Sequence, residues 1–213
     1  MRFIEHPEAP ASIARALREQ PHPGDPGRAW DEFDKSEVRA ELWLLQNGLC
    51  AYCERVLEFA PGHSSIDHVI PKSSDGSVTF CYSNLVLCCT DPRTCNLHKK
   101  GKFFAGTDQT GRWREGFVAP TQRRCEASFD YRLDGSVAPF PTSYAADTRE
   151  TIRILNLNHT ELRTKRREVL QTIDLAIAAI AEQPEALREF REAELTPTNL
   201  KPFPSAKKQH FAL

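Results

Sequence analysis

Six of the seven cysteines fall between Cys50 and Cys95, and that clustering limits what this chain can become more than any other feature. In a short exported chain it would suggest a disulfide framework. Here the chain has 213 residues, no apolar run of bilayer-spanning length, and a start, "MRFIEHPEAP", without the apolar stretch of a secretory signal. The expectation is a soluble, cytoplasmic protein with no membrane partner, whose grouped cysteines bind metal. Its length allows a core of real size, in one domain with appendages or two small ones.

The spacing inside the cluster is informative. "LCAYCE" sets Cys50 and Cys53 at C-x2-C, which lets two thiolates of one tight turn grip a tetrahedral zinc. A second pair must come from "CCTDPRTCNLHKK", which offers Cys88, Cys89, Cys95 and His98, more donors than one zinc can use. Cys89 with Cys95 is the preferred closure, and Cys95 with His98 is a chemically sound alternative. Cys81 and Cys88 then read as small buried hydrophobes.

Between the two halves lie "IDHVIP", a strand pattern broken by Pro71, then "SNLVL", and finally "CNLHKKGK", which looks helical. Neighbouring residues of a strand point to opposite faces, so Asp67 and His68 should not share one role. If Asp67 faces a helix bearing Asn96, the two can offer oxygen ligands to a hard divalent cation that also binds phosphate. His68, off the metal, can then deprotonate a water for in-line attack. Asn84 would fix the loop or orient His68.

Around this centre the chain divides into an N-terminal arm (1–35), a central domain (36–141) and a helical C-terminal region with an extended tail (142–213). The arm, with "PHPGDPGRAW", reads as irregular apart from a short helix near "SIARALRE". "SEVRAELWLLQNG" predicts a helix with Ser36 as N-cap, Val38, Leu42 and Leu45 on one face, and Gly48 as its stop. "LDGS" predicts a turn between two strands. Leu162, Val169, Leu170, Ile173, Ile177 and Ile180 form an apolar stripe, and Pro184 opens a further helix. The tail from Thr196 reads as extended.

Net charge is close to balanced, with 28 Lys and Arg against 29 Asp and Glu, but the distribution is uneven. Arg93, Lys99, Lys100, Lys102, Arg112, Arg114, Arg123 and Arg124 face only Asp108 and Glu115 across that stretch, which also carries Phe103, Phe104 and Trp113. Such a segment suits a nucleic-acid backbone and stacked bases. Lys99, Lys100, Lys102, Arg112 and Arg114 within it, and Lys72 ahead of it, are the candidate nucleic-acid contacts.

In this order, "C-x2-C", "DH-x2-P", "NL" and "C-x5-CN-x2-K" resemble an HNH endonuclease of the ββα-metal type with a zinc knuckle, over roughly Leu49 to Lys102. The resemblance implies an α+β protein, an HNH core with structural zinc embedded in a largely helical chain. It implies His68 as general base, Asp67 and Asn96 as ligands of a catalytic Mg2+ or Mn2+, Asn84 as the middle asparagine, and Cys50, Cys53, Cys89 and Cys95 on structural zinc. Asn96 stands where the third histidine is commoner, and the last cysteine pair is stretched from x2 to x5. "MRFIEH", "LQNGLCAYCE", "NLVLCC", "FDYRLDGSV" and "TIRILNLNHTELRTKRREVL" are together similar to the nuclease subunit of Septu-type antiphage systems, the PtuB-like family, also found as a retron effector. That resemblance implies a PtuA-like ATPase partner. The chain has no G-x4-GK[ST] loop, so ATP dependence would come from the partner. A non-catalytic zinc-stabilised nucleic-acid-binding module, or an interaction protein working through its last third, is the alternative.

Overall fold

The computed structural model describes residues 1–19, 22, 24–60, 62–99, 116–196 and 201–212. Lys100, Lys102, Arg112 and Arg114, with Phe103, Phe104 and Trp113, lie outside the described residues.

The arm is more ordered than its Pro and Gly content suggests. It carries α1 (Ala11–Glu19) and α2 (Pro26–Glu32). Asp25 caps α2 by accepting from the Arg28 amide, and Pro26 sits where a missing N–H costs nothing. In α3 (Ser36–Leu45), Val38 and Leu42 are buried as the spacing predicts. Ser36 is not the N-cap: Lys35 holds that position, and Ser36 turns its amide and hydroxyl to Asp34 Oδ1 at 3.0 and 2.7 Å. Gly48, at φ +67, leads the chain out of the helix under Trp43, where an added Cβ would stand 2.9 Å from the indole.

The centre is a strand, strand, helix unit. β1 (Ser64–His68) pairs antiparallel with β2 (Leu85–Cys89), from Ser64 opposite Cys89 to His68 opposite Leu85. Every residue of β2 is buried, and α4 (Cys95–Lys99) packs against it. A second hairpin, β3 (Phe129–Tyr131) with β4 (Val137–Pro139), closes through Gly135. That glycine has φ +79 and lies so close to the Arg163 carbonyl that a Cβ would stand 2.0 Å from it.

The last third holds α5 (Ala145–Leu155), α6 (Thr160–Ile180), α7 (Pro184–Leu195) and α8 (Pro204–His210). On α6, Leu162, Leu170 and Ile173 are buried, while Ile177 and Ile180 are half-buried. Arg166 shares the buried face, donating to the carbonyls of Gly135 and Leu157. The tail is not wholly extended, because α8 forms where the chain returns to the cysteine turn: Phe203 N donates to Glu54 O at 3.0 Å and Ser205 N to Glu54 Oε2 at 3.0 Å. One buried apolar cluster runs from Met1 and Ile4 through β2 to Leu155 and Leu162, so arm, centre and α5 share a core. Among the described residues no helix is long and apolar enough to cross a membrane.

Candidate active site

The C-x2-C turn is a knuckle tied back on itself. Leu49 bridges Val56, Cys50 N donates to Arg55 O at 2.9 Å, and Glu54 N donates to Cys50 O at 3.0 Å. Glu54 takes the left-handed φ of 61° that closes the turn. The sulfurs of Cys50, Cys53, Cys89 and Cys95 lie within 4.8 Å of one another, and all four residues are buried. Thiolates about 2.3 Å from a tetrahedral zinc stand about 3.8 Å apart; Cys50 and Cys95 Sγ are 3.8 Å apart. The Cys89 amide points at Cys50 Sγ, 3.4 Å away, the kind of donor a thiolate needs. Cys95 pays a left-handed φ of 56° to reach the group, strain of the sort that persists where a site demands it. These four cysteines are positioned to hold zinc.

The remaining donors are used otherwise. His98 Nδ1 lies 2.8 Å from the Ile154 carbonyl, which can only accept, so the ring bonds α5. Cys88 is buried beside Cys50 but outside the four-sulfur group. Cys81 is exposed, against the expectation that it fills the core, because it ends the turn before the 3-10 segment Tyr82–Asn84 and meets Ser83 Oγ at 3.2 Å.

Asp67 and His68 do face opposite ways. On the Asp67 side, Tyr52 Oη and Lys99 Nζ both donate to Oδ2, each at 2.6 Å. No hydrogen bond among the described residues reaches Oδ1. Lys99 also donates to His68 O at 3.0 Å and Val69 O at 3.4 Å. Ser65, two residues before Asp67, accepts from Asn96 Nδ2 at 3.2 Å, so α4 covers this face of β1 with Asn96 and Lys99 together. Burial first, and the Asp67 charge next, push the Tyr52 phenol well up, which keeps it a donor. The oxygens of Asp67 and Asn96 suit a hard divalent cation.

On the other side, the Trp30 ring of α2 stands 4.6 Å from the His68 ring, edge to face. His68 Nε2 lies 3.0 Å from Thr79 O. A carbonyl accepts only, so Nε2 carries the proton and Nδ1 keeps the lone pair. Burial lowers the His68 pKa, leaving the ring neutral at pH 7 and able to take a proton. Asn84 holds the loop after β1 rather than the imidazole: Oδ1 accepts from Ile70 N at 2.7 Å, and Nδ2 donates to Ile70 O and Val78 O at 3.0 and 3.3 Å. A cavity of about 650 Å3 opens beside that loop, with Ile70, Asn84, Phe117 and Arg124 in its wall.

The described cations of the basic stretch are already paired. Arg93 meets Asp91 and Glu161, Arg123 meets Glu5, and Arg124 meets Asp147. Lys72 reaches across to Asp31 of α2 at 2.6 Å. Lys99 corrects an expectation: it is 3% exposed, a partner of Asp67 in the interior and not a surface phosphate contact. The sequence reading also missed Tyr52 and Trp30. Tyr52 could have been suspected from its place between two ligands; nothing local marks Trp30.

Residues 50–102 match the HNH endonuclease family. This stretch is an HNH endonuclease domain. It spans the knuckle, β1, β2 and α4, so the four cysteines and the Asp-His pair all fall within it. HNH nucleases use metal ions and hydrolyse phosphodiester bonds. Beyond the domain, the chain is 26% identical over 149 residues to a Vibrio cholerae (serotype O1 biovar El Tor) protein named "Retron Vc95 putative HNH endonuclease". The alignment covers 65% of this chain and 66% of that relative, just under two thirds of its length.

Proposed function

We propose that the chain is a metal-dependent endonuclease in which His68 is the general base, Asp67 and Asn96 hold a catalytic Mg2+ or Mn2+, and Asn84 fixes the loop that follows the base. The observation that carries this is the division of β1: a carboxylate on the face covered by α4 with Asn96, and a neutral imidazole with a free lone pair on the other. When bound, the ion would stabilise charge on the phosphate. His68 Nδ1 takes the proton of the attacking water, Thr79 O holds the ring, and zinc on the four cysteines anchors the strands. The retron assignment of the Vibrio relative, with the Septu-like motifs, favours a nuclease of an antiphage system in the cytoplasm, acting with a PtuA-like ATPase. Lys72, Lys100, Lys102, Arg112 and Arg114 are the proposed contacts to the nucleic-acid backbone.

The test is single-turnover cleavage of plasmid, oligonucleotide and tRNA across a metal titration. His68→Ala should lose about 10²- to 10⁴-fold in rate without losing metal. Asp67→Ala and Asn96→Ala should weaken the catalytic metal instead and be partly rescued by excess Mn2+. Wild-type cleavage by His68→Ala overturns the assignment.

A further inference from the structure

We infer that Tyr52 and Lys99 are positioning residues for the Asp67 carboxylate, through which the cysteine centre sets the geometry of the catalytic metal site. This rests on the reading of Asp67 as a ligand of that metal.

Both partners of Asp67 come from segments fastened by the cysteines. Tyr52 lies between Cys50 and Cys53, and Lys99 lies on α4, one turn after Cys95. The two converge on one oxygen, Oδ2, at 2.6 Å each, and both are buried, at 1% and 3% exposure. Two donors on one oxygen restrain the last torsion of the carboxylate, which favours one direction for Oδ1. The same ammonium takes the His68 and Val69 carbonyls, so it also fixes the backbone of the proposed base.

Stability alone is a weak reason for this arrangement. A buried ion pair is often no better than apolar residues of the same shape, because desolvating both charges offsets their attraction. Holding a ligand within a fraction of an ångström is a use that apolar residues cannot serve.

Zinc-loaded full-length protein is titrated with Mn2+ alone and read by electron paramagnetic resonance, with zinc content measured on the same samples. Tyr52→Phe removes one oxygen atom and should keep its zinc yet bind Mn2+ about 10- to 100-fold more weakly, the usual cost of losing an outer-shell partner. Saturating Mn2+ should restore its cleavage rate. Lys99→Met is the second arm. Coulomb's law by itself has Mn2+ bind more tightly once a neighbouring ammonium is gone; a positioning role has it bind more weakly. Wild-type Mn2+ affinity in zinc-replete Tyr52→Phe, or tighter binding in Lys99→Met, overturns the inference. Asp67→Ala separates the two levels: if it loses Mn2+ while the other variants do not, only the inference falls, and if it too binds as wild type, the metal-ligand reading falls with it.

Discussion

Asp67 and His68 adjoin in sequence, yet the side of β1 that carries Asp67 is held by charge and directional hydrogen bonds from segments that the cysteines fasten, while the side that carries His68 is held by aromatic packing. Around Asp67 stand Tyr52 and Lys99, from the segments that carry Cys50, Cys53 and Cys95. Against His68 stands Trp30, itself packed with Phe33 and Phe80 at ring-centroid separations of 5.4 to 5.6 Å, two of the three rings coming from the arm. The difference follows from what each group must do. A metal ligand has to point its lone pair along a set line, which needs directional bonds. A neutral base needs mainly a site of low polarity that disfavours its charged form, which aromatic rings provide.

If the two faces are built independently, damage to one should spare the other. The largest effect is expected from Cys95→Ser, since a structural zinc in small domains is worth about 10 to 16 kcal/mol of apparent folding energy. The variant should lose its zinc and its cooperative melt together, measured by elemental analysis and calorimetry. A zinc-free protein that melts like the wild type would remove the cysteine centre from the comparison.

Trp30→Ala acts on the opposite face. Emptying a buried indole site costs about 3 to 5 kcal/mol, so denaturant unfolding should show a loss of that order. Zinc content and Mn2+ affinity should stay unchanged. Loss of metal in this variant would show that the faces are not separable.

The smallest effect concerns pH. Burial lowers the His68 pKa below the ordinary value of about 6.5, so the unfolded chain takes up the proton first as pH falls. The stability that the neutral ring contributes is whole above about pH 6.5 and declines as pH drops through that value toward the lowered folded one. His6, lowered by burial too, acts in the same sense. The His68 share is therefore the difference between wild type and His68→Gln in denaturant melts at pH 7.5 and 5.5. Trp30→Ala should shrink that difference, and an unchanged one would mean that the indole does not set the environment of the imidazole.

What the sequence determined alone was local and periodic. C-x2-C spacing defines a knuckle because two thiolates on one turn can reach one ion without help from elsewhere. Alternation along a strand was enough to assign Asp67 and His68 to opposite faces. Val38 and Leu42 marked the inner side of α3, and Pro184 the start of α7, because helical period and fixed proline φ are properties of neighbours. Only the tertiary structure decided which downstream donors complete the cysteine group. The β1–β2 pairing and the left-handed turn at Cys95 bring Cys89 and Cys95 to the knuckle, while α5 draws His98 away through the Ile154 carbonyl. Lys99 read as surface charge by composition and is interior by packing, since a cation's place depends on whether an acid meets it. Trp30 reaches His68 across 38 positions of chain, a contact set by how the arm folds back and not by any pattern near either residue.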